Sequence, residues 1–353
     1  MKVSTLNKKT RILQVIDVLN IGGAEQICIL LSNLLKKANY DVSLLLLSGK
    51  GVLYDGVDKS VCVHVLNKKS NFDIFSYYQC AKIIKQYDIV HVHMRYNFKY
   101  VYLVKKLFRI KNKLILHDHF GNIEIDKSIP FLFKKFFKPN YYIGVSDSLV
   151  QWARNEVKIN KANTYLLLNT VAKVVTKNNK KEVKSGIVLV ANIKPIKNQL
   201  HAIRLMPYLD TTLTIYGNIQ DKNYYDTLLK EIQKLHVSEK VKFIHGNTNI
   251  QTELNKYSMA IMPSLSESGP LVLIECLAQG LPFVSYKTGE VSRVLEKEFS
   301  FCFSNTFDIE VWVEKINNVL DSGYNFSNAY NTYFSEEVYL KTCLDIYQNI
   351  KHS

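Results

Sequence analysis

Residues 262–280, which read MPSLSESGPLVLIECLAQG, combine two carboxylates with a helix start. Glu267 lies in a polar loop after a short apolar run, and Glu275 follows eight positions later within a helical pattern. The backbone N–H groups of Ser268 and Gly269 and the helix dipole suit hydroxyls or phosphate oxygens. A half-buried Glu275 also needs a polar partner. The pattern therefore favours a ligand site; alternatively, Glu267 only complements the helix dipole and Glu275 is solvated.

The elements around these acids have clear boundaries. Pro270 suits the first helical turn, where its missing N–H has no partner, and Gly280 suits the position just past the helix end. A strand, a loop and a helix in this order place the loop at the carboxyl end of a parallel strand, where open α/β sheets bind ligands. The apolar face of the predicted helix consists of Leu271, Ile274, Leu277 and Ala278.

Three other predicted strand ends carry residues suited to an anionic ligand. Gly22 and Gly23 follow the first strand and let the backbone approach a ligand at a helix start, although many such turns contain glycine for geometry alone. Lys194 and Lys197 follow a later strand and suit a diphosphate, although a lone lysine pair is usually a solvated loop. Gly217 ends the next strand.

Two histidine pairs lie at strand ends, as His91-x-His93 and His117-x-His119. Residues two apart on a strand share a face, so the pairs, with Asp118, resemble the metal ligands of some hydrolases. The sequence shows no further acid cluster nearby, so we predict no metal site. A single histidine acting on substrate is the favoured interpretation, and His91 is expected to be structural.

Alternating strands and helices predict an α/β fold of two doubly wound parallel units. The predicted domains are 1–170, a linker at 171–186, and 187–335, with a C-terminal helix at 336–353 packing back on the first domain. Their facing carboxyl edges would form a cleft. We predict strands at 11–19, 42–47, 61–66, 89–93, 113–117, 141–145, 187–191, 212–216, 241–244, 259–262 and 283–286, helices at 24–36, 75–85, 199–206, 224–235, 250–256, 307–320 and 336–350, and a turn at Gly289 and Glu290.

The charge of this 353-residue chain is unevenly distributed. Residues 1–184 hold 31 basic and 13 acidic side chains, whereas the remainder holds 15 and 18, so the first half carries the whole excess of the +15 net charge. With the basic and aromatic segments 99–113 and 130–142, this predicts contact with an anionic membrane surface; ordinary amphipathic helices are the alternative. Six scattered cysteines and no apolar run of membrane-spanning length predict a cytoplasmic protein, peripheral on the inner face of the cytoplasmic membrane.

With these pieces assembled, the chain resembles a family 4 retaining glycosyltransferase of the GT-B fold. This type occurs in bacterial capsule, O-antigen and exopolysaccharide assembly. The motifs that carry the resemblance are IGGAEQICILLSNLL, YIGVSDSLVQW, LLNTV, KPIKN and SESGPLVLIECLAQGLPFVSYKTGEV, the last with the Glu-x7-Glu pattern of the family.

The resemblance implies a role for each matching residue. Glu275 would hold the ribose of a nucleotide-sugar, and Glu267 would lie near the donor sugar, with the amides of Ser268, Gly269, Pro270 and Leu271 assisting through the loop they form. Lys197 would neutralise the diphosphate, and Gly23 beside Gly22 would approach it. His119 best matches the histidine near the reaction centre, with His117 second and Asp118 on the acceptor side. The remaining donor-binding candidates are Asn192, Lys194 and Gly217.

The resemblance also implies a reaction. The donor would be UDP- or GDP-linked, the acceptor a saccharide or polyprenyl-linked saccharide, and the transferred group a hexosyl residue, with no cofactor because the nucleotide-sugar is a substrate. The sequence contains no Asp-x-Asp motif, so we predict metal-independent transfer by front-face attack. Two departures concern the donor: Asn192 stands where the family often has Arg, and Ser268-Gly269-Pro270 replaces the commoner Phe-Gly.

Two rival functions stay open. A GT-B sugar-nucleotide epimerase would convert donor without acceptor. A basic nucleic-acid-binding protein would require a recognisable RNA or DNA module, and none is visible in the sequence, so we expect no nucleic-acid partner.

Overall fold

The computed structural model describes residues 6–70, 73–128, 131–175, 184–246, 250–321, 324 and 326–353. The chain forms two compact units, one comprising Met1–Thr170 and Glu336–Ser353 and the other Val171–Ser335. Of the predicted linker at 171–186, residues 176–183 lie outside the described residues, as does Pro130 of the basic and aromatic segment 130–142.

Within the described residues, the first unit is built on a sheet of seven parallel strands in the order β3-β2-β1-β4-β5-β6-β7. Its strands are β1 (Arg11–Ile16), β2 (Asp41–Leu46), β3 (Cys62–Val65), β4 (Ile89–His93), β5 (Lys113–Asp118), β6 (Tyr141–Gly144) and β7 (Thr164–Leu166). Its helices are α1 (Gly23–Lys37), α2 (Ile74–Ile84), α3 (Arg95–Leu107), α4 (Phe131–Phe136) and α5 (Asp147–Asn155).

The second unit has a sheet of six parallel strands among the described residues, in the order β10-β9-β8-β11-β12-β13. Its strands are β8 (Ile187–Val190), β9 (Leu213–Tyr216), β10 (Val241–Ile244), β11 (Met259–Met262), β12 (Phe283–Tyr286) and β13 (Phe303–Ser304). Its helices are α6 (Gln199–Leu205), α7 (Lys222–Lys234), α8 (Ile250–Leu254), α9 (Leu271–Gln279), α10 (Gly289–Phe299), α11 (Ile309–Asp321) and α12 (Phe326–Ala329). The predicted fold class, two doubly wound parallel α/β units, is confirmed.

The last helix, α13 (Glu336–His352), belongs to the first unit although it follows the second in sequence. Tyr347 from this helix is fully buried and accepts a hydrogen bond from Gln14 of β1. Lys351 donates to the Thr10 hydroxyl just before β1. The helix therefore places polar side chains against the central strands of the first sheet.

Several elements differ from the predictions, among them the following three. The first strand ends at Ile16 rather than at residue 19, and beyond its end the Asp17 side chain accepts a hydrogen bond from Ser48 and lies 3.8 Å from Lys68. The edge strand β7 was not predicted, since three residues are too few to show a period. Gly289 starts α10 instead of lying in a turn.

The burial of the strands explains why their positions could be predicted from the hydrophobic pattern. All five residues of β4 and all four of β11 are buried, as expected for parallel strands covered on both faces by helices. None of the helices that the structure describes combines the length and the apolar composition needed to cross a bilayer.

Candidate active site

The loop that carries Glu267 is tied to the loop that carries Lys194 and Lys197. Strands β8 and β11 are neighbours, so the loops that follow them share the carboxyl edge of the second sheet. The Leu265 backbone N–H donates to the Ile196 carbonyl at 2.8 Å. This backbone contact joins residues 69 positions apart and brings two separately predicted segments into one arrangement.

The Lys197 ammonium meets the Glu267 carboxylate directly, with Nζ 2.5 Å from Oε1. Both side chains are largely shielded, at 20% and 12% exposure. Burial, and then the charge of Lys197, lowers the pKa of Lys194, while the Glu267 carboxylate opposes that shift. Two cations and one carboxylate therefore lie together at the sheet edge. An additional anion bound between the lysines would be stabilised by their charge.

Thr288 and Glu290 hold the loop of Glu267 and Ser268 in place, a role that the sequence did not indicate. The Glu267 backbone N–H donates to the Thr288 hydroxyl at 3.1 Å, and the Glu290 N–H donates to the Ser268 carbonyl at 2.7 Å. Gly289 has φ of +74°, and a Cβ there would lie 3.1 Å from both the Glu267 Cβ and the Ser268 carbonyl oxygen. Glycine is therefore suited to this position, which was predicted to lie in a turn and is instead the first residue of α10.

Glu275 lies in the second turn of α9, with an exposed fraction of 7%. Its carboxylate has no hydrogen-bond or ion-pair partner among the described residues. Burial raises its pKa from 4.5 to about 7. The alternative of a solvated helix acid is wrong, since this side chain is buried and no hydroxyl or cation of the described residues offsets its desolvation.

The helix that follows the loop starts as its sequence indicated, with one shift. Pro270 is the residue immediately before α9 rather than inside its first turn, and Leu271 is the first helical residue. Gly280 caps the end with φ of +65°. Ser268 and Gly269 precede Pro270, so the predicted donor loop and the start of α9 are continuous.

Asn192 and Gly217 lie where β8 and β9 end. The Asn192 side-chain oxygen accepts a hydrogen bond from the Asn218 backbone N–H at 3.2 Å, so this residue links two edge loops. A Cβ on Gly217 would lie 2.0 Å from the Ala191 carbonyl oxygen, too close for any side chain. The His245 ring nitrogen Nδ1 lies 2.6 Å from the Gly217 carbonyl. Gly217 therefore has a packing reason to be glycine.

The remaining predicted residues belong to the first unit. Gly23 is the first residue of α1, and Gly22 precedes it in extended conformation. His117 lies within β5 and is fully buried. His119 directly follows the strand and is partly exposed, and the centres of the two rings are 4.1 Å apart. His119 is thus the more accessible of the two histidines proposed to face substrate.

The Asp118 carboxylate is hydrogen-bonded to neighbours within the first unit. It accepts hydrogen bonds from Arg95 Nε at 2.7 Å, the Tyr142 hydroxyl at 2.7 Å and the Phe120 backbone N–H at 3.1 Å. The Arg95 guanidinium also lies 4.0 Å from the centre of the Trp152 ring. Asp118 is therefore a fully paired buried carboxylate that anchors the loop holding His119.

Strand β4 places two more histidines beside His117, because His93 pairs with His117 in the sheet register. One ring nitrogen each from His91, His93 and His117 lies within 4.8 Å of the other two. Imidazole nitrogens are common zinc ligands, so this trio is the arrangement that a metal would use. Five of the six ring nitrogens are already engaged in hydrogen bonds, and Asp118 is paired elsewhere.

Two family models match consecutive parts of the chain. "Glycosyltransferase Family 4" matches residues 21–172, and "Glycosyl transferases group 1" matches residues 172–336. This chain belongs to glycosyltransferase family 4. The predicted family is thereby confirmed, and the two matched segments meet at residue 172, next to the boundary between the two units.

Several proteins are similar to this glycosyltransferase. An uncharacterized glycosyltransferase of Haemophilus influenzae is 24% identical over 83% of this chain and 86% of that protein. The amylovoran biosynthesis glycosyltransferase AmsD of Erwinia amylovora is 23% identical over 90% of this chain and 93% of its own. Among solved structures, Anabaena HepE in complex with UDP and glucose has a TM-score of 0.77, with 15% identity over 96% of this chain and 99% of that chain. This likeness establishes the GT-B fold.

Proposed function

We propose that this glycosyltransferase moves a hexosyl group, with retention of anomeric configuration, from a UDP- or GDP-linked donor to a saccharide or polyprenyl-linked acceptor in the synthesis of a bacterial surface polysaccharide. The observation that carries the proposal is the Lys197–Glu267 pair beside Lys194 at the carboxyl edge of the second sheet, followed in α9 by the buried Glu275, which has no partner among the described residues. The HepE structures with UDP and the amylovoran relative support the donor class and the polysaccharide setting.

The cations suit the charge that develops when a diphosphate leaves. In the proposed reaction an acceptor hydroxyl attacks the anomeric carbon from the face of the departing phosphate. The bond between that carbon and the phosphate oxygen breaks, and the hydroxyl proton passes to the phosphate. Lys197 and Lys194 would meet the growing negative charge, a preorganised effect of about 3–4 kcal/mol for one donor in comparable sites. We propose that no metal takes part, since these cations supply the charge.

The carboxylates would orient the donor. Ribose hydroxyls donate hydrogen bonds, so a nucleoside ribose is a partner for the buried Glu275. Glu267, whose Oε1 faces Lys197, would lie at the donor sugar. In the first unit, His119 would contact the sugar near the reaction centre, and Gly22 with Gly23 would approach the diphosphate at the start of α1.

The Lys197→Met variant tests this proposal. We expect a fall in kcat of about 10²–10³ with a sugar donor that the wild type accepts, because one stabilising donor to the leaving group is lost. Donors are first selected by thermal shift with UDP-glucose, GDP-mannose and dTDP-glucose, and products are identified by mass spectrometry. Lys256→Met is the matched control, since Lys256 is 55% exposed and pairs with Glu253.

The outcomes separate the rival functions. Conversion of donor to an epimer in the absence of acceptor would favour the epimerase. Tight binding of RNA or DNA that no nucleotide-sugar displaces would favour the nucleic-acid-binding alternative. Equal kcat values for Lys197→Met and wild type would refute the leaving-group role of the lysine. Inversion of the anomeric configuration, measured by proton NMR of the product, would refute retention.

We also propose that the first unit binds the inner face of the cytoplasmic membrane peripherally. Helices α2 and α3 expose large apolar side chains, with Ile74 78%, Phe75 67% and Leu107 65% exposed. Tyr78 and Phe108 join the two helices at the surface, their ring centres 6.4 Å apart. Exposed aromatic and aliphatic side chains of this kind suit the headgroup region of a bilayer.

The charge beside this apolar surface is strongly positive. Residues 74–113 contain nine basic side chains and one acidic one. A cleft of about 620 Å³ next to Phe108 is lined by five cations, none of which forms an ion pair with a carboxylate in the described part of the chain. Asn112 holds the cleft wall to α2 by donating to the Ile84 carbonyl at 2.7 Å. These cations are Lys85, Arg109, Lys111, Lys113 and Lys351.

Co-sedimentation with vesicles tests the membrane proposal. Binding to phosphatidylglycerol-containing vesicles should exceed binding to pure phosphatidylcholine and should weaken as salt rises. The Leu107→Ser and Arg109→Ser variants should each reduce it, whereas Lys256→Ser should not, because Lys256 belongs to the other unit. Equal partition of the wild type into both vesicle types would refute the proposal.

A further inference from the structure

Six polar side chains form one continuous hydrogen-bonded chain through the apolar centre of the first unit. They come from β1, β4, β5, the residue after β5, and α13, and five of the six are buried. The successive contacts are His117 Nδ1 to His91 Nε2 at 3.0 Å, His91 Nδ1 to the Tyr347 hydroxyl at 2.6 Å, that hydroxyl to Gln14 Nε2 at 2.9 Å, Gln14 Oε1 to His93 Nε2 at 2.9 Å, and His93 Nδ1 to His119 Nε2 at 3.1 Å.

Each of these bonds needs one donor and one acceptor, so the direction of one bond determines the direction of the next. In the structure the Gln14 amide nitrogen donates to the Tyr347 hydroxyl. With this amide orientation the Gln14 oxygen accepts from His93, which then carries its proton on Nε2. A neutral imidazole has only one N–H, so His93 Nδ1 is a lone pair. The nitrogen that donates to it is His119 Nε2. His119 is then left with a lone pair on Nδ1.

These tautomers hold only for neutral histidines, because a protonated ring has two N–H donors and would break the sequence of hydrogen bonds. Burial lowers the pKa of His93 well below its ordinary value, and the neighbouring His91 and His119 lower it further. Burial also lowers the pKa of His119. All these rings are therefore neutral at physiological pH, and each tautomer determines the next.

We propose that Gln14 and Tyr347 are positioning residues that hold His119 as the Nε2–H tautomer, leaving its Nδ1 as a hydrogen-bond acceptor for a sugar hydroxyl. The second half of this inference rests on the proposed function, in which His119 contacts the sugar. The first half depends only on the chain of contacts. The C-terminal helix would then help to set the tautomer of His119. Tyr347 lies 228 positions after His119 and is connected to it through the Gln14 amide and the His93 ring.

A metal ion on the same histidines is the competing arrangement. Among the nitrogens of His91, His93 and His117, only His117 Nε2 lacks a partner in the described residues. An ion ligated by all three rings would have to break at least two of the hydrogen bonds. It would also lie buried with three neutral ligands, because the Asp118 carboxylate is committed to Arg95 and Tyr142. The hydrogen-bonded chain is therefore the better account of these contacts.

Nitrogen-15 NMR of histidine-labelled protein tests the proposal without substrate. A long-range proton–nitrogen correlation spectrum distinguishes the Nδ1–H and Nε2–H tautomers, and the His119→Gln variant assigns the signals of His119. We expect the Nε2–H form of His119 in the wild type. In Gln14→Met, which removes both the donor and the acceptor, we expect a mixture of tautomers, and in Tyr347→Phe a smaller shift in the same direction.

Tyr339→Phe is the matched control. Tyr339 is buried in the same helix, and its hydroxyl has no partner among the described residues, so its removal should leave the His119 signals unchanged. An Nδ1–H tautomer in the wild type, an unchanged His119 in Gln14→Met, or one transition-metal ion per chain by elemental analysis would each overturn the proposal. The wild-type spectrum decides even if a variant does not fold.

Activity then separates this inference from the proposed function. With a donor that the wild type accepts, Gln14→Met should lower kcat/KM about tenfold, roughly one substrate hydrogen bond, while Tyr339→Phe should not. The expected tautomer without transfer from any donor would uphold the positioning chain and refute the function. Transfer at the wild-type rate by a Gln14→Met protein with mixed tautomers would refute the link to substrate.

Discussion

Replacing Glu275 by Gln should remove a pH dependence of stability from the second unit. In the folded chain the pKa of this buried carboxyl is raised from 4.5 to about 7. Below pH 4.5 the group is protonated in both the folded and the unfolded state. As pH rises from 4.5 to 7 the unfolded chain ionises first, so the wild type loses stability across that window and then levels off.

The size of the loss follows from the two pKa values. A carboxyl with pKa values of about 7 folded and 4.5 unfolded costs about 2.5 kcal/mol of unfolding free energy between pH 5 and pH 8. Glutamine has nearly the same shape and no charge to bury, so the variant does not lose unfolding free energy in this way as pH rises. We therefore expect Glu275→Gln to be more stable than the wild type by about 3 kcal/mol at pH 8 and by about 1 kcal/mol at pH 5.

Urea unfolding monitored by fluorescence measures this difference in the correct unit. The chain has two tryptophans, Trp152 in the first unit and Trp312 in the second, so both proteins are prepared in a Trp152→Phe background. The buried Trp312 then reports the second unit alone. If wild type and Glu275→Gln lose the same free energy between pH 5 and pH 8, the carboxyl titrates normally and the reasoning from its burial is wrong.

A related measurement concerns the ligand. If ribose hydroxyls donate to the Glu275 carboxylate, binding favours the charged form, so affinity should rise with pH between 4.5 and 7. Calorimetry with UDP-glucose tests this, since its diphosphate has no terminal group that titrates in the range. A wild-type affinity that does not vary with pH, or that varies equally in Glu275→Gln, would count against the ribose contact.

Two further predictions concern structure. Arg95→Met should destabilise the first unit by about 3 kcal/mol, because it removes the cation that pairs with the buried Asp118, and the loss should appear as a lower midpoint in urea; an unchanged midpoint would contradict the pairing. Gly217→Ala should destabilise the second unit by at least about 2 kcal/mol because its Cβ would lie 2.0 Å from the Ala191 carbonyl oxygen, whereas Gly49→Ala, which meets nothing within 4 Å, should have little effect in the same assay.

The strands and the larger helices could be predicted because burial imposes a simple pattern. Strands such as β4 and β11 are buried throughout, β11 with apolar residues only, and their predicted limits equal the observed ones. Short elements such as β7 carry too few residues to show a period. The start of α10 was misassigned because Gly289 with Glu290 resembles a turn, and only the packing of Gly289 on Glu267 explains its positive φ.

The candidate site also has features that the sequence determined and features that only the tertiary structure decided. The sequence by itself determined the types and order of Lys194, Lys197, Glu267 and Glu275, because a strand, loop and helix pattern places them at a sheet edge. It gave no reason to connect Gln14 and Tyr347, which are 333 positions apart. Only tertiary structure decides which side chains share a hydrogen bond, because a parallel sheet and a returning helix bring together residues that no local pattern relates.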